Sequence, residues 1–367
     1  MDLVCGEGCL HTVADRLEVG VRTLVRVALL AVAAGALAVG PAVPAPAAAR
    51  TDPSPAAEPL DVGDTAYVDV AVATSWVRPG EDRPVDAPAV GDPVDIRAWT
   101  RAMTLAERAW LIGRLETQAT YGTEVTVLAR SGDWLQVAVH GQPTPRHTLG
   151  YPGWMPAAQV RAASRFGALV RSRPVAQVTA PTAWLSADPG GRRHLAELSL
   201  NTRLPLLARA GTAIRVATPA GAGWLPADAV ATYAAATEIP APTGEDLVAT
   251  ARQFVGLPYL WAGTSAFGFD CSGFTHTVYG LHGVTIPRDA APQYAAGTPV
   301  PDDQLQPGDL LFYGRPGRIH HVGMYAGDGY MIDAPANSST TESLLEYVPM
   351  SEHRYAFEYA GARRFLP

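Results

Sequence analysis

The 367-residue chain carries 28 basic and 35 acidic residues, a formal net charge of −7, and 48% of it is hydrophobic. That length exceeds what one hydrophobic core usually serves, so two or three domains are expected. The acidic balance and the lack of a clustered basic face argue against nucleic acid or an anionic membrane surface as partner. All 28 basic residues are Arg, which excludes lysine bases, Schiff-base lysines and P-loop lysines.

In chain order, residues 1–49 read as an export signal. Arg16, Arg22 and Arg26 precede the apolar stretch Val27 to Val39, and the small-residue run Ala45 to Ala49 follows. The mature protein is therefore expected outside the cytoplasm, secreted or associated with the cell wall; an uncleaved signal would instead anchor it to the membrane. Residues 50–60, within a Pro- and Ala-rich stretch, read as a disordered tether. Cys5 and Cys9 precede the apolar stretch, so cleavage leaves Cys271 as the single thiol. In an oxidising compartment a purely structural lone cysteine would be a liability.

An internal repeat follows. Leu128 to Val137 echoes Leu207 to Val216, and Gly153-Trp154-Met155-Pro156 echoes Gly223-Trp224-Leu225-Pro226. Short β-rich runs joined through glycine turns predict two small all-β barrels, at residues 61–163 and 164–237. Each copy resembles the bacterial SH3-like domain. Copy one carries two extras: a helical insertion between Pro93 and Gln118, with a capping-box pattern at Thr104 and Glu107, and an excursion from Gly141 to Gly150.

Residues 238–367 alternate types. A helical run from Leu247 to Val255 and a second beginning at Cys271 precede strand-like runs at Asp309 to Tyr313, His320 to Ala326 and Tyr330 to Asp333, which predicts an α+β domain. Cys271 at a helix start meets the positive end of the helix dipole, a setting that activates sulfur as a nucleophile. A thiol nucleophile needs a base and a group that orients the base. His320 and His321 face opposite ways on a strand, so only one can meet Cys271. A three-residue turn from Gly327 to Gly329 sets Asp333 opposite Gly323 and diagonal to His321, which selects His321 and Asp333; a two-residue turn would reverse the faces. His276 and His282 read as surface or helix-end residues. No cofactor or metal is expected.

The motifs Pro258-Tyr259-Leu260-Trp261-Ala262-Gly263, Phe269-Asp270-Cys271-Ser272-Gly273, Pro287-Arg288-Asp289, Gln306-Pro307-Gly308-Asp309-Leu310 and His321-Val322-Gly323-Met324-Tyr325 resemble the NlpC/p60 family of cell-wall cysteine peptidases, whose fold is papain-like. That resemblance implies Cys271 as nucleophile, His321 as base and Tyr259 as a neighbour that orients the reacting centre. The third position, often His in the family, is Asp333 here. The upstream strings Arg83-Pro84-Val85-Asp86, Glu116-Thr117-Gln118, Tyr121-Gly122 and Gly150-Tyr151-Pro152-Gly153-Trp154 are similar to γ-D-glutamyl-L-diamino acid endopeptidases, in which the first SH3-like domain closes the groove. The resemblance implies a wall at Tyr121, an ammonium site at Asp86 and Asp270, and a lining from Ser272 and Asp289; Tyr121 has an alternative reading as a barrel core aromatic.

The expected activity is hydrolysis of the γ-D-glutamyl bond to meso-diaminopimelate or L-Lys in murein stem peptides with a free N-terminal L-Ala, by a monomer. Two rivals stand beside it. One is the same chemistry on intact peptidoglycan in growth or cell separation, and the other is a non-catalytic wall-binding protein.

Overall fold

The computed structural model describes residues 60–315, 317–336 and 342–367. The expected export segment and the tether through residue 59 lie outside the described residues. Hydrogen-bonded strand order in the first barrel runs Leu115–Thr120, Val72–Trp76, Tyr151–Pro156, Trp134–Val139, Glu124–Ser131, Thr65–Val68, Val160–Arg161. The second repeats it strand for strand: His194–Ser199, Thr182–Ser186, Gly221–Pro226, Ala213–Thr218, Arg203–Ala210, Val175–Val178, Val230–Tyr233. The register shifts at the same place in both, between Val127 and Ala129 and between Leu206 and Ala208. The residues bulged out, Leu128 and Leu207, begin the two repeated sequences, and a bulge there adds the twist that closes a small barrel.

The insertion forms two helices, Ile96–Ala102 and Leu105–Trp110. Its capping box is present: the Glu107 amide donates to the Thr104 hydroxyl at 3.3 Å, and the Thr104 amide to the Glu107 carboxylate at 2.8 Å. Trp99, Met103 and Leu111 are buried together with Trp76 of the barrel and with Leu260, Ala262 and Phe267 of the C-terminal fold. Barrel and C-terminal fold thus share one apolar cluster, which fixes the barrel's position beside the loop leading to Cys271.

In the C-terminal fold, helices α1 (Gly244–Arg252), α2 (Cys271–Leu281) and α3 (Ala290–Ala296) come first. Six strands follow: β1 (Thr298–Val300), β2 (Leu310–Arg315), β3 (Arg318–Gly327), β4 (Tyr330–Asp333), β5 (Glu346–Pro349) and β6 (Tyr359–Arg364). They form an antiparallel sheet in the order β1-β6-β2-β3-β4-β5. Phe274 and Val278 of α2 pack on Phe312, Val322, Met324 and Ile332, so the helix carrying the thiol covers the sheet face on which β3 presents Val322 and Met324. Helix α3 and strands β1, β5 and β6 are additional to the sequence expectation.

The β3–β4 hairpin decides which histidine faces the thiol. Gly327 pairs with Tyr330 around a two-residue Asp328-Gly329 turn, and a bulge then sets Tyr325 opposite Met331 and Met324 opposite Ile332. Asp328 and Gly329 have φ of 52° and 78°, the left-handed pair that a tight hairpin turn requires. Turn and bulge together give the same faces as the expected three-residue turn. His321 and Asp333 therefore share one face, that of Tyr313 and Met331 and opposite to Val322 and Met324, while His320 points outward to Glu358.

Candidate active site

Cys271 opens α2 and is the free cysteine of the described residues, partly exposed. Asp270 caps the helix, its Oδ1 accepting the Gly273 amide at 2.6 Å. A Cβ added at Gly273 would come within 2.0 Å of the Gly263 carbonyl oxygen, so only glycine lets the helix start press against the Ala262-Gly263 loop. The thiol is left at the mouth of the first-turn amides, which have no intrahelical acceptors and carry the positive end of the dipole.

The His321 imidazole has the Cys271 thiol and Asp333 as neighbours. Its Nε2 lies 2.7 Å from Asp333 Oδ1, which leaves Nδ1 to serve the sulfur. Burial alone would lower the His321 pKa, but the charges of Asp333 and Cys271 beside it raise it well above 6.5. Burial likewise disfavours the Asp333 carboxylate, and His321 and His353 more than offset this, holding its pKa below the usual range. His353, which sequence reading did not single out, lies 2.6 Å through Nε2 from Asp333 Oδ2. The three donor atoms lie within 4.8 Å of one another, as a metal site would require. Both imidazoles are instead turned onto the carboxylate at hydrogen-bond distance, so an ion would have to break those contacts.

On the other side of Cys271, Arg288 is the organising residue. Its side chain is 1% exposed and pairs with Asp270 at 2.7 Å. The guanidinium also donates to the Ser272 hydroxyl at 3.0 Å and to Thr117 of the first barrel at 3.0 Å. Ser272 donates to Asp270 Oδ1 in turn. Asp270 and Ser272 thus flank the nucleophile as expected, but Asp270 is neutralised by Arg288 and is no free counter-charge for an ammonium. Asp289 is the more open carboxylate: it stands farther from the same guanidinium, at 4.0 Å, its side chain is 36% exposed, and burial of the remainder raises its pKa.

Tyr121 is not placed to form the expected wall. Tyr121 is buried at the seam between the two barrels, against Tyr67, Phe166 and Leu204, with its hydroxyl donating to Asp69 at 3.1 Å. Asp86 is also out of reach: it is fully buried against the insertion, accepting from Arg83 at 2.8 Å and from the Trp99 indole at 2.8 Å, so its oxygens are already occupied. What the first barrel does bring to Arg288 and Asp289 is Tyr151, Glu116 and the Gly141–Gly150 excursion. The Tyr151 hydroxyl donates to Asp289 at 3.0 Å, Arg146 pairs with Glu116, and the Pro143 carbonyl accepts the Arg288 amide at 3.0 Å. The signal was present in the sequence: the excursion is the part of copy one that copy two lacks, and Tyr151 and Glu116 stood in the quoted strings.

Tyr259 is buried beside Cys271, with burial first and the neighbouring Cys271 and Asp270 charges next in raising its pKa well above 10. His276 donates to or accepts from nothing catalytic: its Nδ1 lies 2.9 Å from the Ile286 carbonyl, and burial draws its pKa down to about 4. His282 ends α2 against Thr250.

The NlpC/P60 family pattern matches residues 256–364, and that of the YKFC SH3b2 domain matches residues 178–233. The gamma-D-glutamyl-L-lysine dipeptidyl-peptidase of Bacillus cereus is 48% identical over 308 residues, 82% of this chain and 91% of that protein. The protein of that name in Bacillus subtilis is 36% identical over 305 residues, 80% of this chain and 96% of its own. A crystal structure of an NlpC/P60 family protein from Bacillus cereus aligns with a TM-score of 0.79 at 47% identity, covering 83% of this chain and 100% of that one. A thiol at a helix start, a paired imidazole facing it and full-length relatives of this kind lead to one conclusion: the chain belongs to the NlpC/P60 family of cysteine peptidases, joined here to SH3b-type barrels.

Proposed function

We propose that this peptidase hydrolyses the γ-D-glutamyl-L-diamino acid bond of murein stem peptides that carry a free N-terminal L-Ala. The observation that carries the reading is the placement of Asp289 and Tyr151, one guanidinium away from the residues flanking Cys271. The relatives' names support the bond cleaved, and L-Lys is the diamino acid those names print.

In this mechanism the Cys271 sulfur attacks the γ-carbonyl carbon of D-Glu, and first-turn amides of α2 stabilise the oxyanion. His321 Nδ1–H gives its proton to the departing α-amine of the diamino acid as the C–N bond breaks, leaving a thioester. Water then gives a proton to His321 and its oxygen to the acyl carbon, and the C–S bond breaks to release L-Ala-γ-D-Glu. Asp333 keeps Nε2–H of His321 aimed at itself throughout, so that Nδ1 stays on the reacting atoms.

An L-Ala ammonium fits beside Asp289, whose carboxylate gains a full counter-charge in a half-buried place. An N-acylated stem offers no charge there and must also pass the Tyr151 ring, so it is disfavoured twice. Export follows from the order of basic, apolar and small residues at the N-terminus, and would place the enzyme where stem peptides are released.

The test uses the purified mature chain with L-Ala-γ-D-Glu-L-Lys and its N-acetyl form, following products by mass spectrometry. Release of free Lys from the first at a rate well above the second, abolished by Cys271→Ala, is the expected result. Equal rates on both would remove the free-amine requirement and favour action on intact peptidoglycan. Turnover that survives Cys271→Ala would remove the mechanism.

A further inference from the structure

We propose that His353 is a positioning residue of the catalytic centre, a fourth member of a buried chain Cys271–His321–Asp333–His353, and that it works as a neutral Nε2–H donor locking the Asp333 carboxylate. The inference rests on Cys271 and His321 acting as nucleophile and base, as proposed above.

The geometry assigns each proton. The Tyr355 backbone amide donates to His353 Nδ1 at 3.3 Å, so Nδ1 must be an acceptor and the ring proton must sit on Nε2. That Nε2–H meets Asp333 Oδ2 at 2.6 Å. The other carboxylate oxygen, Oδ1, receives His321 Nε2–H at 2.7 Å. Asp333 and His353 have fully buried side chains and that of His321 is 3% exposed, so no water shell can replace a donor that is removed. A carboxylate held by one oxygen can rotate about its last torsion, whereas one held by both cannot. The plane of Asp333, and through it the tilt of His321 over Cys271, is therefore set from the His353 side.

The packing supports a fixed role. The His321 and His353 rings lie 5.5 Å apart at 20° and are both flanked by Tyr313 and Tyr355. His353 is placed by the short turn Met350–Glu352, its amide donating to the Met350 carbonyl at 3.4 Å. Other titratable or charged groups face the chain: Cys271 beside His321, Tyr259 beside Cys271, Tyr313 on β2, Glu346 on β5 opposite Asp333, and Arg354 and Tyr355 after the turn. Arg354 is committed to the Ala336 carbonyl and the Ser343 hydroxyl. None of these supplies the second donor that Asp333 takes from His353.

The experiment compares three variants of the mature chain. His353→Leu has no donor, His353→Asn has a donor too short to reach Oδ2, and His353→Gln places an amide N–H close to the position of imidazole Nε2. Two readouts are taken across pH: kcat and KM on L-Ala-γ-D-Glu-L-Lys, and the rate of Cys271 alkylation by iodoacetamide, which involves no substrate. Leu and Asn should lower kcat by roughly 10- to 100-fold, a share of what general acid–base catalysis supplies, with KM within about twofold. The acid limb of both profiles should move to higher pH, because an Asp333 with one donor protonates more readily; Gln should restore most of kcat and the wild-type limb.

Unchanged kcat and unchanged profiles in Leu and Asn would overturn the proposal. So would equal losses in all three variants that track a fall in melting temperature while the alkylation profile stays fixed, since that marks a purely structural role. Activity lost on dialysis against a chelator and restored by zinc would replace the relay with a metal site. Altered alkylation profiles in a protein that does not cleave the tripeptide would sustain the relay and refute the substrate reading alone.

Discussion

The Tyr151 hydroxyl lies 3.0 Å from Asp289 Oδ2, so a barrel strand closes on a carboxylate of the peptidase fold. Burial and the Asp289 charge raise the Tyr151 pKa, which keeps the phenol protonated and donating. The proposed free-amine specificity thus draws on two folds at once, one supplying the reacting sulfur and the other the proposed end of the groove.

Removing that end should relax selectivity. Tyr151→Ala is expected to narrow the preference for free over N-acetylated tripeptide by about tenfold or more, the range of an unpaired buried polar group, while Cys271 alkylation stays as in the wild type. Tyr151→Phe keeps the ring and should retain most of the preference. The check is the ratio of kcat/KM on the two peptides; a ratio unmoved by Tyr151→Ala would place the wall elsewhere.

Asp86 and Tyr121 should behave as structural residues. The Asp86 pKa, which burial would raise, is instead lowered from 3.8 by Arg83 and the Trp99 indole. A lowered folded value means that its stabilisation is present above about pH 4 and is lost as pH falls through the folded value. Asp86→Asn should cost about 1–3 kcal/mol at neutral pH and flatten the acid side of the stability curve. Its kcat/KM, and that of Tyr121→Phe, should stay within about twofold of the wild type, measured beside urea unfolding at pH 7 and pH 3.

Asp333→Asn tests the orientation of the base. Both neighbouring imidazoles aim Nε2–H at this side chain, and an amide has one acceptor oxygen where a carboxylate has two, so one histidine must change tautomer or turn away. The expected loss is roughly 100- to 10,000-fold in kcat. Asp333 is a principal cause of the raised His321 pKa, so its removal should move the basic limb of kcat/KM to lower pH. A basic limb that stays in place would mean that another group sustains the imidazolium.

Much of this was legible in residue order because it rests on local rules. The repeated Gly-Trp-aliphatic-Pro strings, the Thr104 and Glu107 capping box and the cysteine after a capping Asp each specify their own backbone. The His321 and Asp333 pair was reachable through strand alternation, although turn and bulge together, rather than a three-residue turn, give the register. Strands β1, β5 and β6 were not legible: β1 and β5 each contain Pro, and β6 reads as Tyr-Ala-Gly-Ala-Arg-Arg without apolar alternation. His353 follows β5 in a 3₁₀ turn, and no spacing in the sequence ties it to Asp333. The expectation for Tyr121 failed for a related reason. Tyr121 and Tyr151 are both barrel aromatics, and which one faces Asp289 depends on how the barrel docks, a long-range packing outcome shared among Trp99, Leu260 and Phe267.

Arg288 is the residue through which that docking reaches the nucleophile, and a double-mutant cycle measures it. The Arg288–Asp270 pair is buried, with side chains 1% and 11% exposed. Arg288→Met leaves the Asp270 carboxylate uncompensated beside Cys271 and also removes the bond to Thr117, so a loss of about 3–5 kcal/mol is expected. Asp270→Asn alone retains a helix cap and leaves the guanidinium only its longer, 4.0 Å pairing with Asp289, so its cost should be smaller. The double variant should recover a substantial part of the sum, because it leaves neither charge unpaired. Urea unfolding of the four proteins gives the coupling; additive losses would show that Arg288 acts through Thr117 and Ser272, not through Asp270.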